Sequence, residues 1–452
     1  MSNRIAIIDQ NKCQPKKCKK ECISGCPPQT NGYKVIEIVD IENIGSNLHK
    51  NITDKKQIAR IAENLCIGCN MCTKRCPFDA IKIVNLPEEK KENIVHRFSK
   101  NGFRLYKLPI LKKNCVTGLI GENGIGKTTL VKILSGKLIP NFENFTVQND
   151  TKTILKKYRG SVLFDYLKKL YEHKLTFAFK PQQLIGHDMS VKDYLKNNDI
   201  SINDELIEAL TIKRMMEMNM KTLSGGELQK LYCYVTLTQN VDVYIFDEPS
   251  NFLDIKQRML ITSRIKNLVN ENRYVIIIEH DFAMLDYVAD NVFILYGKPG
   301  AYGIVSNEYS ISDSINVYMN GHLPNENVRF RAEEYNLKSS LELDNENADQ
   351  INSIEYNLEY PGTIITHKNF KLNIGNDKIK LTSSIHVILG ENGIGKTTFI
   401  KYLAKTLGVN ISYKDQTLDI TRFMKNEMYP TVDELFYTQI PISLKKLLSQ
   451  WK

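Results

Sequence analysis

The sequence predicts an α/β protein built on a repeated phosphate-binding turn, preceded by a small cysteine-rich α+β unit. Two observations carry that reading. Gly121-Glu-Asn-Gly-Ile-Gly-Lys-Thr-Thr129 recurs residue for residue as Gly390 to Thr398, each copy following an apolar run, as a buried strand feeding a helix requires. Eight of the ten cysteines, Cys13, Cys18, Cys22, Cys26, Cys66, Cys69, Cys72 and Cys76, fall within the first 76 residues. The 452 residues exceed a typical single domain, and 42% hydrophobic with 25% charged residues are the proportions of a globular chain rather than a disordered or fibrous one. No apolar run reaches the roughly 18 to 20 residues that cross a bilayer, and the N-terminus has no apolar leader. Cytoplasmic residence with a nuclear pool, and no membrane partner, are therefore expected.

Residues 1–90 form the first expected domain, in which the short apolar runs Arg4–Ile8 and Tyr33–Val39 read as small strands around a site. Cys66-x2-Cys69-x2-Cys72-x3-Cys76-Pro77 has the spacing that ligates a [4Fe–4S] cluster, with the fourth cysteine serving a second cluster. Cys13-x4-Cys18-x3-Cys22-x3-Cys26-Pro27 supplies the matching set. The crossover assigns Cys66, Cys69, Cys72 and Cys26 to one cluster and Cys13, Cys18, Cys22 and Cys76 to the other. Two four-thiolate zinc sites are the alternative, which the Cys-Pro pattern disfavours. Cys115 and Cys233, isolated among apolar residues, read as core residues.

The chain carries +10 net charge, and residues 1–90 hold 15 Lys and Arg against 10 Asp and Glu. Lys12, Lys16, Lys17, Lys19 and Lys20 crowd the first cysteine run. Such a charge run is either a solvated face or a contact for RNA phosphates.

Residues 91–318 form the second expected domain. The glycines Gly121, Gly124 and Gly126, with Asn123 and Thr129 between and after them, let main-chain N–H groups face phosphates. Lys127 reaches the β and γ phosphates of ATP, and Thr128 offers its hydroxyl to Mg2+. Val243-Tyr-Ile-Phe-Asp-Glu-Pro-Ser250 is an apolar strand ending in two acids: Asp247 supports Mg2+ and Glu248 activates the attacking water. A further apolar strand, Tyr274–Ile278, runs into Glu279-His280-Asp281, where His280 reads as a γ-phosphate sensor.

Residues 319–350 read as a hinge or linker and 351–452 as a second, partial copy. It repeats Gly390, Asn392, Gly393, Gly395, Lys396, Thr397 and Thr398, with Thr397 as the Mg2+ hydroxyl, and has a candidate sensor glutamine in Lys414-Asp-Gln416. Carried from Gly121 to Gly390, the spacings to the remaining motifs fall beyond Lys452. The expectation is a truncated coding region or a second chain that completes the sites.

Leu223-Ser-Gly-Gly-Glu-Leu-Gln-Lys230 is the signature of ATP-binding cassette (ABC) ATPases. With Gln182 after Lys180-Pro181 and with Asp254, residues 95–300 resemble one complete cassette. Together with Cys13-x-Pro-Lys-Lys-Cys, Leu65-Cys-Ile-Gly-Cys, Ile83-Val-Asn-Leu-Pro87, Leu253-Asp-Ile-Lys-Gln-Arg258 and Asn325-x2-Val-Arg-Phe-Arg331, nearly the whole chain resembles the ABC-E family, the RNase L inhibitor or ribosome-recycling ATPases. The resemblance implies α/β ABC-type P-loop ATPase cassettes, one complete and one partial, behind a ferredoxin-like domain with two [4Fe–4S] clusters. It also implies that Ser224, Gly225 and Gly226 of one cassette close over ATP held by the other, and that Gln182 and His280 sense the γ-phosphate.

The implied activity is ATP-driven splitting of ribosomal subunits after termination, with roles in initiation and subunit export. The implied partners are the small ribosomal subunit, its RNA, and termination and initiation factors. A non-hydrolysing ribosome-bound protein is the alternative, because neither composite site is complete within the chain. An electron-transfer protein gated by ATP is a further alternative that the signature does not favour.

Overall fold

The computed structural model describes residues 4–9, 12–40, 57–62, 65–85, 93–145, 149–331, 334–335, 356–367, 370–381, 385–406 and 414. They belong to two compact units, Met1–Ala348 and Asp349–Lys452. None of the described helices is long and apolar enough to cross a membrane.

The first unit begins with four short strands, β1 (Arg4–Ile8), β2 (Ile36–Asp40), β3 (Gln57–Ile61) and β4 (Ile81–Asn85), paired antiparallel as β1–β4 and β2–β3. Three single-turn helices, Glu21–Ser24, Pro27–Thr30 and Met71–Arg75, lie between them. So small a segment buries little apolar area, and cysteines take up part of its core: Cys13, Cys22, Cys26 and Cys72 pack with Ala6, Ile8, Ile36 and Ile81. A core this thin depends on cross-links.

The same unit continues into β5 (Ile94–Arg97), β6 (Arg104–Tyr106), β7 (Cys115–Gly121), β8 (Phe177–Lys180), β9 (Val243–Asp247), β10 (Tyr274–Ile278), β11 (Asn291–Lys298) and β12 (Tyr302–Ser310). They form one eight-stranded sheet in the order β5-β6-β12-β11-β7-β10-β9-β8. β11, β7, β10, β9 and β8 are mutually parallel, with Ile278 of β10 in register with Leu119 of β7 and Asp247 of β9. Both faces are covered. Val116, Ile120, Tyr244, Phe246, Val275 and Ile277 enter one core, and their alternating neighbours Leu119, Val243, Ile245, Ile276 and Ile278 enter the other. This is why these strands read as continuous apolar runs rather than as alternation. Parallel strands also deliver their C-terminal ends to one edge, and the candidate site residues follow those ends.

The cysteine-rich segment is tied to the sheet by Asn101, in the loop between β5 and β6. Its Oδ1 accepts from Ile61 N at 3.0 Å, and its Nδ2 donates to Ala6 O at 3.0 Å and to Ile61 O at 3.1 Å. Its own carbonyl accepts from Ile8 N at 2.9 Å. The residue is 5% exposed, so one side chain satisfies groups on two strands that would otherwise be buried without partners.

The region expected to act as a hinge opens with the helix Ile311–Asn320 and a small hairpin, β13 (His322–Leu323) with β14 (Val328–Arg329). Leu323 is buried with Tyr302, Tyr309 and Val317, so this stretch packs as part of the first unit. The boundary expected at residues 90 and 91 lies outside the described residues, as does most of the remainder of 319–350.

In the second unit, β15 (Tyr356–Tyr360) pairs with β18 (Asp377–Leu381), and β16 (Thr363–His367) pairs with β17 (Phe370–Ile374). The repeated glycine turn then leads into the helix Lys396–Thr406.

Asn101→Ala removes three side-chain hydrogen bonds and leaves Ile61 and Ala6 main-chain groups buried. Replacement is expected to loosen the cysteine-rich segment by about 1 to 3 kcal/mol. Limited proteolysis between residues 86 and 92 should become faster; an unchanged cleavage rate contradicts the role given to Asn101.

Candidate functional site

Four strand ends and one loop converge on a cavity of about 540 Å3. β7 ends in the glycine turn and continues as the helix Lys127–Leu134. Gly126 has φ of 105°, and a Cβ there would lie 2.7 Å from the Phe103 ring. Glycine is needed on both counts. Asn123, Gly124, Gly126, Lys127, Thr128 and Thr129 line the cavity together with Gln182, Asp247 and Glu248. Gly121 closes the strand behind them, where a Cβ would meet Leu295 O at 2.6 Å.

Lys127 is buried, and its Nζ donates to Gly121 O at 2.5 Å and Glu122 O at 3.2 Å. Burial holds its amine down at about 8, with Glu248, Asp247 and Glu122 pulling the other way. The same Nζ lies 3.0 Å from His280 Nε2, which is also 3.3 Å from Glu248 Oε1. One ring nitrogen cannot accept from Lys127 and donate to Glu248 together. Burial and then Lys127 hold His280 below its ordinary value, so the neutral ring accepting from Lys127 is the form this geometry favours. A phosphate that draws Lys127 away frees that nitrogen.

Asp247 ends β9 and is 4% exposed. Burial and the adjacent Glu248 push its carboxyl up to about 6, against the pull of Lys180 and Lys127. Glu248 has φ of 51°, a left-handed backbone that an acidic side chain adopts only under constraint. Gln182 Nε2 donates to its Oε1 at 2.9 Å, and Asn251 Nδ2 donates to its Oε2. All four residues expected to be catalytic are thus in one place, and Asn251 joins them.

Ser224 caps the helix Gly225–Thr238 through a capping box with Glu227. Ser224 and Gly225 are exposed and Gly226 half-buried, and none of the three lines the cavity. The helix therefore offers a solvent-facing N-terminus with free N–H groups, as expected of an edge that closes over a site elsewhere.

The second copy reproduces the first. Gly393 and Gly395 have φ of 80° and 103°, against 78° and 105° for Gly124 and Gly126, and Phe370 abuts Gly395 as Phe103 abuts Gly126. Lys396 Nζ donates to Gly390 O and Glu391 O. Asn392 and Thr397 are exposed, and Thr398 is half-exposed. The run before this turn differs: Ile385, Val387 and Leu389 are 92%, 73% and 75% exposed, whereas Val116, Leu119 and Ile120 are sealed between β10 and β11. Asp415 and Gln416 lie outside the described residues.

Seven of the eight N-terminal cysteines lie in two groups, Cys13 with Cys18, Cys22 and Cys76, and Cys72 with Cys66 and Cys26. Cys13, Cys18, Cys22 and Cys76 line one cavity. Burial, then Cys18, Cys76 and Cys13, push the Cys22 thiol up to about 11. Burial, then Cys66, raise Cys72, with Cys26 adding to the shift. Ala59 N and Ala80 N each approach a sulfur, of Cys13 and Cys76, at 3.4 Å. Thiols this crowded need a cationic centre to ionise, and main-chain N–H groups aimed at sulfur suit cluster ligands. Among the described residues no three His, Cys, Asp or Glu have the spacing of a single-ion site. Cys69 is exposed, Cys115 half-buried and Cys233 buried in the sheet core.

Three residues escaped the sequence. Phe98 and Phe103 line the cavity mouth, and Phe98 is 55% exposed; aromatic residues just ahead of a glycine turn were the available signal. Asn251, three residues after Glu248, gave none.

Residues 110–251 match the family described as ABC transporter, residues 3–34 a possible Fer4-like domain in RNase L inhibitor, and residues 59–82 a 4Fe-4S binding domain. A relative in Schizosaccharomyces pombe, translation initiation factor rli1, is 41% identical over 424 residues, 92% of this chain and 68% of the relative. A solved structure described as ribosome-bound archaeal Pelota and ABCE1 aligns with TM-score 0.80 at 34% identity, covering 98% of this chain and 72% of the other. The archaeal recycling factor aABCE1, in complex with ribosomal stalk protein aP1, aligns with TM-score 0.63 at 34% identity over 72% and 63% of the two chains.

The Asp247 carboxyl titrates higher in the fold than its usual 3.8, so its charge weakens the folded state above about pH 6 and the effect vanishes below about pH 4. Asp247→Asn is expected to stabilise the nucleotide-free protein at pH 7 by on the order of 2 kcal/mol while abolishing Mg2+-dependent nucleotide binding. Urea unfolding at pH 7 and pH 4 checks the sign: a difference that persists undiminished at pH 4 contradicts it.

Proposed function

Because the chain belongs to the ABC-E, or RNase L inhibitor, family, we propose that its ATP-driven closure splits ribosomal subunits after termination and serves initiation and ribosomal subunit export. The chain is an ABC-type ATPase that uses ATP and Mg2+ and holds [4Fe–4S] clusters. The observation that carries the reading is the convergence of Lys127, Gln182, Asp247 and Glu248 on one cavity, with His280 against Lys127 and Glu248 and Ser224 to Gly226 facing outward from the same unit.

The geometry supports the following roles. Lys127 exchanges its main-chain carbonyls for the β and γ phosphates, and the turn from Gly121 to Thr129 presents N–H groups to them. Phe98 and Phe103 offer ring faces to the adenine. Thr128 and Asp247 would hold Mg2+, which when bound neutralises phosphate charge. Glu248, held by Gln182 and Asn251, orients and deprotonates the water, and His280, once Lys127 leaves it and Nε2 takes up a proton, donates to the γ-phosphate side. Ser224, Gly225 and Gly226 close over a site on the opposing cassette.

The domain plan is 1–90, 91–318, 319–350 and 351–452. Two clusters, on Cys13, Cys18, Cys22 and Cys76 and on Cys66, Cys69, Cys72 and Cys26, cross-link the first domain. Gly390, Asn392, Gly393, Gly395, Lys396, Thr397 and Thr398 form a second ATP loop, with Thr397 toward Mg2+. Exposure of Ile385, Val387 and Leu389 favours completion of that unit by further polypeptide, a second chain included. Without it the protein binds ATP on the ribosome and does not hydrolyse it.

The partners are the small subunit and its RNA, with termination and initiation factors, in the cytoplasm and in a nuclear pool. The five lysines Lys12, Lys16, Lys17, Lys19 and Lys20 are all exposed, which suits phosphate contact.

Glu248→Gln is expected to retain ATP and lose turnover at least about a hundredfold, measured as released phosphate across a range of protein concentrations. Wild-type activity per molecule that rises with concentration supports completion in trans; unaltered turnover in the variant refutes the base. Replacing the five lysines by Gln is expected to weaken co-sedimentation with small subunits and flatten its salt dependence by up to about five charges; unchanged binding contradicts the RNA contact.

A further inference from the structure

Beneath the Glu248 turn lies a buried cation that none of the roles above uses. Lys180, the last residue of β8, is 1% exposed. Its Nζ donates to Asp247 O at 2.7 Å and to Glu248 O at 3.0 Å. From the other side Gln229, also 1% exposed and on the helix that Ser224 caps, donates its Nε2 to Glu248 O and Pro249 O at 2.8 Å each. The turn is tied at its flanks as well: Glu248 N donates to Ile278 O at 2.9 Å, and Ser250 N donates to Glu279 Oε1 at 2.9 Å.

A lysine is almost never so deeply buried unless its ammonium is paired, and here, among the described residues, its hydrogen bonds go to two carbonyls. An apolar side chain of equal length would fill the space without desolvating a charge. What the ammonium adds is orientation. It draws the Asp247 and Glu248 carbonyls to one side and so fixes the peptide planes that flank a left-handed, non-glycine residue. Such a conformation persists only where its surroundings over-determine it. The side chain it aims is the one that Gln182, two residues beyond Lys180, meets at 2.9 Å.

We propose that Lys180 is a positioning residue for ATP hydrolysis, which with Gln229 clamps the Glu248 carbonyl and thereby sets the carboxylate against Gln182 and His280. Through this clamp the strand that carries Gln182 and the helix that carries the signature share one fixed point on the Glu248 turn. The proposal rests on Glu248 as the residue that activates water.

The test is Lys180→Met in the full chain, with Gln229→Leu as companion, read by crystal structure, Mg-ATP affinity and turnover. The expected result is a Glu248 that leaves the left-handed region or parts from Gln182, an ATP Kd within about twofold of wild type, and a kcat at least about tenfold lower. A folded variant with Glu248 unmoved and kcat unchanged overturns the proposal, as does a Kd that weakens in step with kcat. If Lys180→Met does not fold, Gln229→Leu must show the same split, and its failure to do so is equally decisive. If the wild-type chain does not turn over without the polypeptide that completes its sites, the crystal structures of the variants decide: Glu248 unmoved from its left-handed backbone and from Gln182 in both variants overturns the positioning role.

Discussion

The ammonium of Lys127 sits buried between main-chain carbonyls and two carboxylates, and the site is organised around that charge. Burial favours loss of its proton. Asp247 and Glu248 oppose that tendency, while Asp247 is itself pushed toward protonation by its own burial and by Glu248. Each ion is tolerated because the others are present. The parallel sheet makes this possible by ending β7, β9, β10 and β8 at one edge, so that residues up to 153 positions apart, as Lys127 and His280 are, lie in contact.

The constraint extends in two directions. Through the loop between β5 and β6, Phe98 and Phe103 face the cavity while Asn101 is plugged into the cysteine-rich strands. The cavity and the cysteine-rich strands thus share one short loop. In the second unit the glycine turn has the same conformation, with Lys396 on the carbonyls of Gly390 and Glu391. Ile385, Val387 and Leu389 ahead of it are exposed, whereas the residues of β7 are sealed between parallel neighbours. The turn's shape is set locally by its glycines, whereas the burial of its strand is set by the sheet.

This division explains what could be read in advance. The phosphate turn, the paired acids after an apolar strand and the cysteine spacings are short-range patterns in which chemistry dictates residue type and interval. The crossover of Cys76 to the first cysteine run was legible for the same reason, and Cys76 does line the cavity of Cys13, Cys18 and Cys22. Asn101, Asn251 and Lys180 were not legible. Each is a polar residue whose value lies in a long-range meeting, such as Lys180 with a carbonyl 68 residues away, and no periodicity marks it. The packing of Leu323, in the stretch expected as a hinge or linker, was not legible either, because its burial depends on Tyr302 and Tyr309 rather than on its own neighbours.

A crystal structure of the full chain with Mg2+ and a non-hydrolysable ATP analogue tests the central claim most directly. The account predicts that Lys127 Nζ leaves Gly121, Glu122 and His280 for the phosphates while Glu248 keeps its left-handed backbone and its contact with Gln182. Nucleotide bound with Lys127 still on its main-chain carbonyls, or bound away from this cavity, would contradict it.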